Sequence, residues 1–167
     1  MEAPLLHFKL YNSMSAVYTF TRRQSIDAPP GKVWDFVSSP ANLARITPPG
    51  MGFDIISPAE KKMYEGMIII YRVKPLAGIP VTWVTEITHI TEGSYFVDEQ
   101  RSGPYTLWHH RHFIEPDGNG TMMTDIVTYR PPLGILGRIA NSLFIRKKLG
   151  QIFDYRERVM NSFSAIL

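Results

Sequence analysis

The chain contains no cysteine among its 167 residues, which excludes disulfides, thiolate nucleophiles and thiolate-bound metals. Nor does it hold an apolar run approaching the ~18 residues of a membrane-spanning helix. A glycine-rich phosphate loop is missing too. Gly-Ile-Leu-Gly at 134–137 has neither the preceding strand-to-helix turn nor the companion glycine of a dinucleotide site. No serine sits in a nucleophile elbow. Covalent catalysis and nucleotide chemistry are therefore not expected, and no cofactor is. Residues 1–15 carry acidic Glu2 and only a short apolar patch, not the basic start and continuous apolar core of a secretion signal. We therefore expect a cytoplasmic location, with 1–15 an N-terminal extension and 16–167 a single domain.

What is present has ordinary globular composition: 44% hydrophobic and 20% charged residues, on a length that suits one domain. The formal charge is +3, from 18 basic and 15 acidic residues. Basic side chains are interspersed with acids, with clusters such as Arg22-Arg23 and Arg146-Lys147-Lys148. A nucleic-acid partner needs basic residues gathered on one face, so none is expected.

Val17 to Ile26 alternates with the period of a strand. Pro29-Pro30 then suits the first turn of a helix carrying Val33, Trp34, Phe36 and Val37, ended by Ser38-Ser39-Pro40. The segment 41–46 reads as a second short helix. Six strands follow, at 52–57, 67–74, 80–90, 95–102, 107–116 and 120–130, and their short connections make an antiparallel meander. Beyond Pro131-Pro132 the pattern is helical, but its apolar stripe changes direction. Leu136, Ile139, Ala140 and Leu143 point one way, and Ile145, Leu149, Ile152, Phe153, Val159, Met160 and Phe163 roughly the other. The expectation is a short helix over 134–143, a break near 144–148, and a long helix to about 165. The architecture is thus α+β: a seven-stranded curved antiparallel sheet wrapped around a long C-terminal helix, with two short helices after the first strand. So few helices cannot plug so large a sheet, and a cavity between them is expected.

Several segments resemble the START-like superfamily, which includes the polyketide cyclases/dehydratases and the birch-pollen-allergen-like helix-grip proteins (SRPBCC proteins). These are Ala28-Pro29-Pro30-Gly31-Lys32-Val33-Trp34-Asp35-Phe36, the stretch 42–49, Val97-Asp98-Glu99-Gln100 with Gly103-Pro104-Tyr105, Trp108-His109-His110-Arg111-His112-Phe113, and Thr124-Asp125 with Tyr129-Arg130-Pro131. The resemblance spans about 17–160 and is greatest to the bacterial ligand-binding branch. It implies a helix-grip fold and a ligand cavity, in a superfamily that contains enzymes, lipid carriers and regulators.

The hairpin over 107–130 supplies the site residues. If Asp117 and Gly120 flank a two-residue turn, paired positions sum to 237 and His112 faces Asp125. Trp108, His110, His112, Asp125 and Tyr129 then share the inward face. Asp98 and Gln100, in parity with Phe96, join them from the next strand or else tie the strand end to its loop. These seven are the candidate ligand-binding residues, for a small, largely apolar lipid-, polyketide- or aromatic-like molecule. His112 with Asp125 as its orienter is also a candidate acid/base pair for a cyclase or dehydratase, with Asp98 or Tyr129 as acid. A protein of interactions alone would instead fill the cavity with side chains. His110, His112 and Asp125 have the make-up of a metal site on a strand face, but a direct His112–Asp125 bond competes with it, and no metal is assigned. Trp34 and Trp83 read as core. Finally, 133–145 reads either as a lid whose basic edge makes transient membrane contact, or as a fixed connector packing Leu136, Ile139 and Leu143 on the sheet edge.

Overall fold

A computed structural model describes residues 16–57, 62–74 and 78–163, with the side chain of Phe163 outside the description. The extension assigned to 1–15 lies outside the described residues. Strand β1 (Tyr18–Ile26) leads into α1 (Pro30–Val37), which begins at the proline pair and buries Val33, Trp34, Phe36 and Val37. The expected second helix is a 3₁₀ turn at Pro40–Asn42, and another such turn follows at Pro49–Met51. Proline at each start presets φ for the first turn.

The remaining strands are β2 (Asp54–Ile55), β3 (Ile68–Val73), β4 (Val81–Thr91), β5 (Tyr95–Ser102), β6 (Leu107–Asp117) and β7 (Gly120–Arg130). They form one antiparallel sheet in the order β1-β7-β6-β5-β4-β3-β2. The chain therefore meanders from β2 to β7 and closes by laying β7 against β1. The β6–β7 hairpin pairs Asp117 with Gly120 and His112 with Asp125, the register that the turn sequence dictates.

The C-terminal helix departs from the expected break. Helix α2 (Gly134–Ala140) runs through one π-helical turn at Asn141–Ile145 into α3 (Arg146–Phe163), and the backbone at both junctions stays helical. A π-turn inserts an extra residue and so re-phases the side chains without interrupting the helix. The buried positions Gly137, Asn141, Ile145, Leu149 and Phe153 consequently recur every four residues. Leu136, Ile139 and Leu143, expected on the sheet edge as a fixed connector, are instead exposed. Gly137 is where the helix crosses Pro131-Pro132: a Cβ there would stand 2.0 Å from the Pro132 carbonyl oxygen.

The core is divided. One cluster joins α1 to the ends of β5, β6 and β7 around Ile26, Trp34, Phe96 and Met123. A second lies on β3 and β4 around Ile69, Tyr71 and Trp83, and a third joins β7 to the C-terminal helix through Val127, Ile145, Leu149 and Phe153. Met63 bridges the first to the second, and Tyr105 and Trp108 bridge the second to the third, but these bridges do not fill the space the three enclose.

Candidate ligand-binding site

The space left between the three clusters is a cavity of about 160 Å³, where one enclosed water needs only roughly 10–15 Å³ on that measure. It is bounded by the 39–53 segment, by the concave faces of β3 to β6, and by the C-terminal helix from Ile145 to Arg156. The cavity is not filled by side chains, as a protein of interactions alone would require. Its walls are mainly apolar and aromatic, including Phe36, Ile69, Trp83, Trp108, Leu149 and Phe153.

The buried ionisable groups are gathered on one side. β5 and β6 pair Asp98 with His110 and Phe96 with His112, and Phe96 lies flat against the His112 ring at 3.9 Å between centroids. The expected His112–Asp125 pair is part of a closed ring of four residues. His110 Nε2 donates to Asp125 Oδ1 at 3.0 Å and His112 Nε2 to Asp98 Oδ2 at 2.8 Å. His110 Nδ1 lies 3.2 Å from Asp98 Oδ2, and His112 Nδ1 2.8 Å from Asp125 Oδ1, the latter out of line for a hydrogen bond. The hydrogen bond assigned to His112 and Asp125 is thus made by His110, because the two imidazoles are two residues apart on one strand face and both reach across it. Arg156 completes the cluster from α3, with Nη1 3.6 Å from Asp125 Oδ1 and its guanidinium over the Phe153 ring at 4.8 Å.

At Asp98, Asp125 and His110 burial favours the neutral form, and the partners reverse it. For Asp98 and Asp125, burial would raise the pKa, but the two histidines hold both carboxyls below the usual carboxylate range, with Arg156 adding to the effect at Asp125. For His110, burial would lower the pKa, yet Asp98 and Asp125 on either side of the ring hold it above the ordinary imidazole value. Burial and the nearby Asp98 push the Tyr71 hydroxyl up, so it stays neutral while sharing a 2.9 Å hydrogen bond with Thr85.

Of the seven candidate residues, Asp98, Trp108, His110 and His112 line the cavity. Asp125 is wholly buried behind the histidines. Tyr129 and Gln100 are turned to other work: the Tyr129 hydroxyl donates to Asn141 Oδ1 at 2.7 Å, and the Gln100 amide clamps the backbone N–H and carbonyl of Tyr105. Sequence reasoning missed Arg156, although a charged residue at the i+3 position from Phe153 and i−4 from Met160, on an otherwise apolar stripe, is a readable signal. It also assigned Trp83 wholly to core, whereas Trp83 lines the cavity. Two donors that belong to lining residues, the Trp83 indole Nε1 and Arg156 Nε, are buried without a hydrogen-bond partner.

Asp98, His110 and His112 each offer a ligand atom within 4.8 Å of the others, so their donor set fits a divalent transition metal. The third ligand is Asp98 rather than the Asp125 of the sequence-based grouping. In the arrangement described, those same atoms are spent on hydrogen bonds and ion pairs within the ring of four.

The strand order and the C-terminal helix gripped by the sheet define the helix-grip fold of START-like proteins. No protein-family model matches the chain, and no curated protein does. Solved structures do. Protein Ms6760 from Mycobacterium smegmatis is 14% identical with a TM-score of 0.64, over 90% of this chain and 93% of that one. TTHA0849 from Thermus thermophilus is 17% identical with a TM-score of 0.65, over 89% and 98%. Ginseng major latex-like protein 151 from Panax ginseng is 13% identical with a TM-score of 0.65, over 89% and 97%. At such identities the likeness establishes the fold.

Proposed function

We propose that the chain binds a small, largely apolar molecule carrying acceptor oxygens, in the cavity between the sheet and the C-terminal helix. The observation that carries this reading is the contrast within the cavity: mainly apolar walls, one buried ionisable cluster, and two lining residues, Trp83 and Arg156, each with a buried donor, Nε1 and Nε, without a partner. An unsatisfied buried donor costs about 1–3 kcal/mol, and a ligand carbonyl, hydroxyl or ether oxygen would relieve it. Within the buried cluster itself Asp98 and Asp125 are matched by Arg156 and by a His110 held towards its protonated form. Lipid-, polyketide- and aromatic-like molecules with neutral oxygens fit this description.

The ring of four speaks against proton transfer of the cyclase or dehydratase kind. Every ring nitrogen of His110 and His112 lies within 3.2 Å of a carboxylate oxygen, so both imidazoles are held by Asp98 and Asp125 rather than presented openly to a substrate, as a general base is. Tyr129, a candidate acid, is spent on Asn141.

The test is native mass spectrometry of protein purified without detergent, followed by release of small molecules under denaturing conditions. A stoichiometric apolar, oxygen-bearing compound is expected. Its affinity should fall about tenfold in Trp83→Phe, which deletes one donor worth ~0.5–1.5 kcal/mol. Turnover of that compound, lost by about 10²–10⁴ in His112→Ala while binding persists, would instead establish catalysis.

A further inference from the structure

We propose that the N-terminal part of the C-terminal helix, 133–148, is a docking surface for anionic phospholipid bilayers. Of the eleven exposed large hydrophobic side chains among the described residues, six fall in this one segment: Leu133, Ile135, Leu136, Ile139, Leu143 and Phe144, each between 51% and 76% exposed. Singly exposed apolar residues are ordinary, but a contiguous patch marks a surface that meets something apolar. The patch lies opposite the buried line Gly137, Asn141 and Ile145, so the helix cannot turn it inwards without withdrawing Ile145 from the core. Backbone geometry does not account for it either: Leu133 holds a left-handed φ of 66°, a conformation that glycine or asparagine adopts at less cost.

Charge decides what covers the patch. Between 131 and 153 the chain carries Arg138, Arg146, Lys147 and Lys148 and not one acidic residue. Lys147 and Lys148 directly follow the apolar stretch, and Arg138 and Arg146 stand within it and at its end. Pairing two copies face to face across a two-fold axis would bring these like charges together. An anionic bilayer matches both properties, apolar side chains entering the acyl boundary and lysines and arginines resting among the headgroups. No helix of the described residues is long and apolar enough to cross a membrane, so the contact is peripheral. It is also next to the cavity, whose lining includes Ile145, Lys148 and Leu149. The docking proposal rests on the surface alone and stands whatever the cavity binds.

Co-sedimentation of the full chain with vesicles of phosphatidylcholine, with and without phosphatidylglycerol, tests it. Pelleting is expected with the anionic vesicles, to weaken as salt is raised, and to be slight with phosphatidylcholine alone. Lys147→Gln and Lys148→Gln should each weaken binding about fivefold, the equivalent of ~1 kcal/mol per basic residue at an anionic surface. Leu136→Gln with Phe144→Gln should abolish it with the fold intact by circular dichroism. Tyr64→Gln with Ile79→Gln, which removes exposed apolar side chains elsewhere, should change nothing. Equal binding to both vesicle types, or undiminished binding by the Leu136/Phe144 variant, would overturn the proposal. So would light scattering showing a dimer that this variant dissolves, with no vesicle binding by the parent chain.

Discussion

The two halves of the C-terminal helix carry similar numbers of large apolar side chains and use most of them in opposite ways. In α3, Leu149, Phe153 and Met160 are buried against the sheet and cavity, and Arg156 is drawn in with them. In α2 and the π-turn, the large apolar side chains other than Ile145 stand in solvent, and the buried positions are Gly137, Asn141 and Ile145. Periodicity reveals that a helix has an apolar face; it does not reveal what the face meets. The difference comes from the close crossing over Pro131-Pro132, which only a glycine permits, and from the π-turn that follows. Together they direct the small-residue face of α2 inwards.

The largest expected effect lies where α3 meets the polar wall. Asp125 is 0% exposed and contacts both histidines and Arg156. Asp125→Ala would leave those groups uncompensated and should cost about 3–5 kcal/mol, or on the order of 10 °C in Tm. Urea denaturation with an unchanged slope would identify the loss as one of stability. Phe153→Ala should cost a similar ~3–5 kcal/mol, since Phe153 is 2% exposed, whereas Phe144, 60% exposed on the other half, should tolerate the same change within ~0.5 kcal/mol. Equal costs for the two phenylalanines would erase the distinction between the halves.

The pH dependence follows from the same ring of four, with His110 held by Asp98 and Asp125, His112 beside both, and Arg156 facing Asp125. The folded His110 pKa lies above its ordinary value, so its contribution to stability is complete below about pH 6.5, the unfolded value, and is lost as pH rises through the folded one. Asp98 and Asp125 have lowered pKa values. Their contribution is complete above about pH 3.9 and is lost as pH falls towards their folded values. The ring should therefore stabilise the fold most between about pH 4 and 6.5. His110→Asn should flatten the alkaline side of a plot of urea midpoint against pH, and a plot unchanged by that substitution would contradict the assignment.

Much of this was legible in the sequence. Alternation and turn chemistry carried the strands, because a strand half-buried on one face must alternate, and the Asp-Gly-Asn-Gly turn carried the β6–β7 register. That register placed His112 opposite Asp125 but could not say which imidazole would bond to it, since two histidines on one face reach the same carboxylate and side-chain rotation decides. Gln100 shares parity with Asp98, yet its amide turns to Tyr105, a loop interaction with no periodic signal. The π-turn was hidden for a related reason. A change of stripe direction is produced alike by a break or by an inserted residue, and only the packing against Pro131-Pro132 chooses between them.

The smallest effect is also the most discriminating, because it compares one substitution in both halves of the helix. Gly150 lies in α3 with nothing within 4 Å of where a Cβ would be, whereas a Cβ on Gly137 in α2 would collide with the Pro132 carbonyl. Glycine within a helix is entropically costly, so Gly150→Ala should stabilise the protein by about 0.4–1 kcal/mol. At Gly137 the same entropic gain is opposed by a clash with backbone, which cannot rotate away as a side chain would, and Gly137→Ala should destabilise by about 1–3 kcal/mol. Paired urea denaturation curves read both. Opposite signs support the close crossing that turns the small-residue face of α2 inwards and leaves its large apolar residues outside. Stabilisation by both alanines would mean that α2 stands off Pro131-Pro132, and that something other than this crossing exposes the apolar patch.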